Sequence, residues 1–482
     1  MKLNDPTLLR GQCYIDGKWV GEGVTAVNNP ATGVELAKVP HFGERETTLA
    51  VEAAGRAFKL WSKKLAKERA IILRRWFDLM IANKEDLALI MTSEQGKPLA
   101  ESRGEIDYAA SFIEYYAEEA RRVYGETIPS HRHDARIMVI KQPIGVIAAI
   151  TPWNFPAAMI TRKVSPALAA GCTAVVKPSP ETPLTALALA VLAERAGIPA
   201  GVLNLVTGDA AAIGKVMCEH PTVRFVGFTG STAVGKMLMR QAASTVKRVG
   251  LELGGNAPFI VFDDADLDAA VEGAMISKFR NMGQTCVCAN RIYAQEGIYD
   301  AFVEKLAGKV MALKVGDGVD VGVTQGPLIK KDAFDKVMRH VNDAVDLGAK
   351  LVVGGHPHAL GRTFFEPTLL SHVTTKMLIT REETFGPVAA VYKFKDEADV
   401  IAQANDSPFG LASYFYARDL GRVYRVAEAL EYGMVGINIA LIGIDVAPFG
   451  GVKESGLGRE GSHHGMEEFL ELKYMLVGGL GA

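Results

Sequence analysis

An α/β fold built on a doubly wound parallel sheet is predicted by three features of the sequence. Between residues 146 and 244, short apolar segments alternate four times with helix-like ones, the pattern of βαβ units. The apolar segments are unbroken, as in Ile147-Ala148-Ala149-Ile150, which suits strands covered on both faces. The unusual residues lie just after these segments, at the carboxyl ends where such a sheet binds ligands.

In chain order, residues 11–39 read as short strands, and Asp16-Gly17 inside 14–20 marks a hairpin turn. Residues 50–61, 66–83, 85–94 and 101–124 read as helices whose charged residues belong on solvated faces. A strand over 135–141 precedes the alternating series. That series pairs strand 146–151 with helix 156–170, 173–177 with 183–196, 202–207 with 210–219, and 223–229 with 231–244. The first strand runs into Pro152-Trp153-Asn154-Phe155-Pro156, the second into Lys177-Pro178-Ser179-Pro180, and the third into Gly208. The fourth runs into Gly230-Ser231-Thr232-Ala233-Val234-Gly235, a glycine turn that opens a helix and offers free amides and a positive dipole end to a phosphate. It departs from the G-x-G-x-x-G fingerprint. Its place in a βαβ series favours a dinucleotide site over a plain turn.

Glu252 follows in Leu251-Glu252-Leu253-Gly254-Gly255-Asn256, either as a base with a raised pKa or as an exposed strand-end residue. A second α/β series then extends to about residue 438. Its first helix, 265–279, carries Leu267, Val271, Met275 and Phe279 at helical spacing and is expected to stop at Gly283. Cys286 sits on the loop beyond. A cysteine beside loop amides is where a nucleophile belongs, although a buried structural thiol is the commoner outcome for a lone cysteine. Helices 299–313 and 398–404 and strands 350–353 and 388–394 continue the series. Strands 136–141 and 470–477 have no obvious partner within the chain and are expected to pair between subunits.

The 482 residues allow more than one domain, and the formal charge of −2 with no long single-sign block argues against nucleic acid and membrane surface as partners. No apolar run approaches membrane-spanning length, and the N-terminus lacks a secretory apolar region. Five thinly spread cysteines do not suggest a disulfide framework, and a reducing, cytoplasmic setting fits them. No His/Cys cluster has metal spacing, and Cys286-Val287-Cys288 is not a CxxC. Cys288 is either a small packed residue or a redox partner of Cys286.

Six motifs in order, PWNFP (152–156), KPS (177–179), FTGSTAVG (228–235), LELGGN (251–256), GQTC (283–286) and ETFGP (383–387), make the whole chain resemble the aldehyde dehydrogenase superfamily. Residues 160–163, 279–290 and 455–462 are most similar to its succinate-semialdehyde dehydrogenase branch. The resemblance implies a Rossmann-type cofactor domain (1–127 and 144–253), an α/β catalytic domain (254–445), oligomerisation strands (128–143 and 466–482) and a linker (446–465) returning to the cofactor domain. A small β flap of this kind implies a homodimer or homotetramer.

The resemblance also implies roles. Cys286 attacks a small aldehyde to give a thiohemiacetal. Asn154 and the Cys286 amide hold the oxyanion, hydride passes to NAD or NADP, and Glu252 activates the water that hydrolyses the thioester. Trp153, Asn154, Lys177, Ser179, Pro180, Gly230, Ser231, Leu253, Glu383 and Phe385 would hold the cofactor, with Asn154 and Lys177 counted among the catalytic residues as well. Arg162 and Arg280 would clamp a substrate carboxylate, the alternative for both being structural ion pairs. Gly443 replaces a serine usual in that branch, which leaves glutarate semialdehyde beside succinate semialdehyde as substrate. Pro180 stands where many NAD-selective relatives carry a glutamate, so NADP is favoured. A cofactor-free cysteine hydrolase and a non-catalytic binding protein are the competing readings. The parallel sheet with its glycine turn argues against the first, and the intact set Asn154, Glu252 and Cys286 against the second.

Overall fold

Unbroken apolar strands need cover on both sides, and the chain supplies it with helices. The computed structural model describes residues 1–481. Five parallel strands lie in the order Leu203–Leu205, Thr173–Lys177, Val146–Ile150, Val223–Thr229 and Arg248–Glu252. Ile150 is in register with Lys177 on one side and Phe228 on the other, and Thr229 with Glu252. The register therefore brings Pro152–Pro156, Pro178–Pro180, Gly230–Ser231 and Leu253 to one rim of the sheet. The hairpin Cys13–Ile15 and Lys18–Val20 extends one edge, with Asp16 and Gly17 at positive φ in the turn. Gly456–Leu457 pairs antiparallel with Arg248–Glu252 and closes the other edge.

A second sheet of seven strands, from Lys350–Val353 through Val388–Phe394, Ala289–Gln295 and Ala257–Val261 to Met434–Ile437, is parallel except for its first strand. Buried aliphatic and aromatic side chains pack both of its faces. No helix among the described residues is long and apolar enough to cross a membrane.

Three expectations change. The strands Arg136–Pro143 and Leu470–Val477 do have an intrachain partner: they pair with each other over eight registered positions, and Glu126–Ile128 adds a third strand. Each reads as unpartnered because more than 300 residues separate the two in sequence. The helix before Cys286 spans Leu267–Phe279 and ends four residues ahead of Gly283. A tight turn follows in which Asn281 and Met282 adopt left-handed backbone angles. Gly283 shares that conformation, and only glycine fits there, since a Cβ would meet the Gly386 carbonyl oxygen at 2.2 Å. Finally, the charges in the helices Lys84–Gln95 and Leu99–Glu119 are not all solvated, since Glu94 and Glu105 are buried, as is Lys97 on the turn between them.

Candidate active site

Cys286 follows the left-handed turn, in a second turn closed by the Cys288 amide donating to the Thr285 carbonyl at 3.0 Å. It is partly exposed and opens on a cavity of about 290 Å³ that Tyr108, Phe155, Arg162, Arg280 and Gly443 also line. Cys288 is buried, its sulfur 3.5 Å from the Lys278 carbonyl, and none of the five cysteines is in a disulfide.

The loop is held by a network of buried amides. Asn154 Nδ2 donates to the Gln284 carbonyl at 3.0 Å, which leaves its second N–H free. Asn281 Nδ2 donates to the Asn154 carbonyl (3.0 Å), Gln95 to Asn281 (3.0 Å), and the Asn281 amide to Glu101 (2.7 Å). Lys97 Nζ also reaches the Asn154 carbonyl (2.6 Å) and pairs with Glu105 (2.5 Å). The other Glu105 oxygen accepts from the Ala157 and Ala158 amides, where the helix Ala158–Ala170 begins. Sequence reasoning missed Gln95, Lys97, Glu105 and Asn281. One signal was available: Glu105 shares a helical stripe with Ser102, Ala109 and Phe112, so it lies on the packed face.

Glu252 is buried, but its side chain borders a small cavity behind the strand, with Lys163, Glu460 and Arg459, rather than the cavity of Cys286. Its Oε2 has no hydrogen-bond partner. Burial and the neighbouring Glu460 charge push its pKa well above the carboxylate range. Glu460 goes the other way: against burial, Lys163 and Arg162 hold it ionised. Arg162 Nε donates to Glu460 Oε2 at 2.7 Å, Lys163 donates to the other oxygen, and Phe449 stacks on the Arg162 guanidinium at 4.0 Å. Arg162 thus carries a structural ion pair. Arg280 has none among the described residues and lies over the Phe155 ring at 5.0 Å. Burial pushes the Cys286 thiol up to about 12, against the pull of Arg162 and Arg280, so at neutral pH the sulfur carries its proton.

The residues expected to hold a dinucleotide share the sheet rim. The helix Thr232–Ala242 starts at exposed Ser231, whose side chain makes no capping bond, so the first-turn amides stay available to a pyrophosphate. Leu253 is buried with its amide on the Ser455 carbonyl (2.9 Å). Lys177 is buried, donates to the Pro178 carbonyl at 3.2 Å, and has its pKa lowered by that burial. The Ser179 hydroxyl donates to Glu181, which Lys330 also contacts at 3.2 Å. Against burial, these two partners hold the Glu181 carboxyl below its usual range. Pro180 and Glu181 border a second cavity with Lys330, Lys331 and Arg362. Glu383 accepts from the Gly255 amide (3.1 Å), and burial pushes its pKa up to about 7. Phe385, at φ 55°, meets Trp153 edge to face with centroids 5.5 Å apart, so the ETFGP segment and the first strand end line one space. Open helix amides, a lysine and an unspent carboxylate oxygen fit the phosphate and ribose groups of NAD or NADP. No metal-binding cluster of His, Cys, Asp or Glu occurs among the described residues.

The model of the aldehyde dehydrogenase family matches residues 19–475. The chain is 63% identical over 483 residues to the glutarate-semialdehyde dehydrogenase of Pseudomonas aeruginosa, covering 100% of both. It is 62% identical over 482 residues to the succinate-semialdehyde dehydrogenase (NADP(+)) of Escherichia coli strain K12, covering 99% of this chain and 100% of that one. The crystal structure of succinate-semialdehyde dehydrogenase from Burkholderia pseudomallei superposes with a TM-score of 0.98 at 60% identity, over 99% of this chain and 100% of that chain. With the family model spanning nearly the full length and these relatives matched end to end, the chain belongs to the aldehyde dehydrogenase family.

Proposed function

We propose that this enzyme oxidises an aldehyde bearing a terminal acid, succinate semialdehyde to succinate or its longer homologue glutarate semialdehyde, with NAD(P) as oxidant. The observation that carries this reading is Arg280, a guanidinium without an ion pair among the described residues, on the wall of the cavity that Cys286 opens on. Such a cation favours a bidentate acid partner. The names of the relatives point the same way.

Cys286 Sγ bonds to the aldehyde carbon after losing its proton. The free Asn154 N–H and the Cys286 amide stabilise the oxyanion, and a thioester remains on Cys286 once the carbon has been oxidised. NAD(P), when bound, supplies the hydride acceptor. Glu252 turns from the inner cavity, away from the Glu460 charge that raises its pKa, releases its own proton to solvent, and then takes one from the water that attacks the thioester. Ser231 and Gly230 hold the pyrophosphate, Lys177 the adenosine ribose, and Glu383 with Phe385, Trp153 and Leu253 the nicotinamide end.

NADP is the preferred cofactor. Pro180 brings no charge, and Glu181 is occupied by Ser179 and Lys330, so no free carboxylate repels a 2′-phosphate. Pro180→Glu therefore moves kcat/KM toward NAD. An unchanged ratio, or a wild type already selective for NAD, refutes this assignment. The expected domain division is retained as part of the proposal, with the three-stranded sheet as the surface of a homodimer or homotetramer.

The test is kcat/KM for ω-carboxy aldehydes of increasing length, beside acetaldehyde and benzaldehyde, with each cofactor. The acid-bearing substrates should lead. Parity with acetaldehyde or benzaldehyde removes the role given to Arg280.

A further inference from the structure

The helix Leu99–Glu119 that buries Glu105 also carries Tyr108, whose ring packs edge-on against Phe112 (4.9 Å, 70°) and whose side chain lines the Cys286 cavity. A Cβ placed on Gly443 would stand 2.9 Å from the Tyr108 hydroxyl oxygen, so any side chain there would have to push the phenol aside. The phenol therefore fills the space that a residue at 443 would otherwise present to the substrate. Arg162 lines the same cavity, and its charge pulls on the phenol against burial. Arg162 is nearly fully buried, spends Nε on Glu460, and keeps Nη2 without a hydrogen-bond partner although that atom stands 2.5 Å from the same Glu460 oxygen. A phenol that holds its proton near a cation is a good hydrogen-bond donor to an acid. Burial raises the phenol's pKa, so the proton is held across the physiological range.

We propose that Tyr108 is a substrate-binding residue whose hydroxyl donates a hydrogen bond to the acid end of the substrate, while Arg280 contacts the acid directly. Gly443 is the gap that lets Tyr108 stand there. The inference rests on the acid-bearing substrate proposed above and adds the residue that recognises it.

The experiment compares kcat/KM for succinate semialdehyde with that for butanal, which has the same chain length and no acid. In Tyr108→Phe the ratio should fall by about tenfold or more, mainly through KM for the semialdehyde, the size expected for a lost hydrogen bond to a charged group. Gly443→Ala should lower the same ratio in the wild type by pushing the hydroxyl aside, and should have no further effect in Tyr108→Phe, where the oxygen is gone. A selective wild type whose ratio survives Tyr108→Phe overturns the inference and leaves the proposed function standing. An equal loss on both substrates overturns it as well, because the tyrosine is then only a wall of the cavity. Additive losses in the double variant overturn the pairing with Gly443. A wild type that does not distinguish the two aldehydes removes the proposed function and this inference together.

Discussion

Glu252 and Glu460 border one small cavity, and the charge goes to Glu460, because Arg162 and Lys163 contact that carboxylate and not its neighbour. A carboxylate among glycines and apolar residues was legible in the sequence as a candidate for a raised pKa. Its partner at Glu460 was not, since 208 positions separate the two. Glu383 gives the clearest pH prediction. Its carboxyl titrates near 7 because burial disfavours the charge, and it is the ionised form that accepts from ribose hydroxyls. NAD(P) should therefore bind several-fold more tightly at pH 8 than at pH 6, measured by fluorescence titration. In Glu383→Gln that dependence should disappear. If the wild type binds equally well at both values, Glu383 does not hold the ribose.

At the scale of elements, hydrophobic period and strand length placed nearly all the helices and strands of the first sheet. The turn before Cys286 escaped because nothing in the types Asn281 and Met282 announces left-handed backbone angles. Those angles are imposed by the contacts around them, above all the Asn281 side chain between Gln95 and the Asn154 carbonyl. The buried pair Lys97–Glu105 ties the helix Leu99–Glu119 to the start of Ala158–Ala170 and to the Asn154 backbone. Removing one member strands a buried charge. Glu105→Ala should cost about 3–5 kcal/mol, read as a lower urea midpoint, and should slow turnover by displacing Asn154. A normal midpoint with normal kcat means that Lys97 finds another partner and that the pair does not set the loop.

For the molecule as a whole, the motif order carried the family and the pockets carried the site, while the pairing of distant strands lay outside what a single sequence offers. The sheet that joins Arg136–Pro143 to Leu470–Val477 leaves the last strand with an open edge and exposes Leu472, Tyr474 and Leu476. A bare apolar edge of that kind invites a second copy. Leu472→Glu with Leu476→Glu should shift the enzyme to a smaller species in sedimentation, with the monomer fold kept by circular dichroism. An unchanged sedimentation coefficient means that the subunits meet elsewhere.

Gly456–Leu457 completes the sheet edge beside Glu252, Ser455 accepts from the Leu253 amide, and Glu460 neutralises Arg162 and Lys163. All of these lie in residues 455–460, whereas the groups they complete are made far earlier. On the ribosome, then, the nucleophile, the amide that faces it and the glycine turn are all synthesised before the residues that fix the charge state of the site. A nascent chain that stops short of residue 455 has its cysteine but not the setting that makes it an enzyme, so catalytic competence waits for residues 455–460.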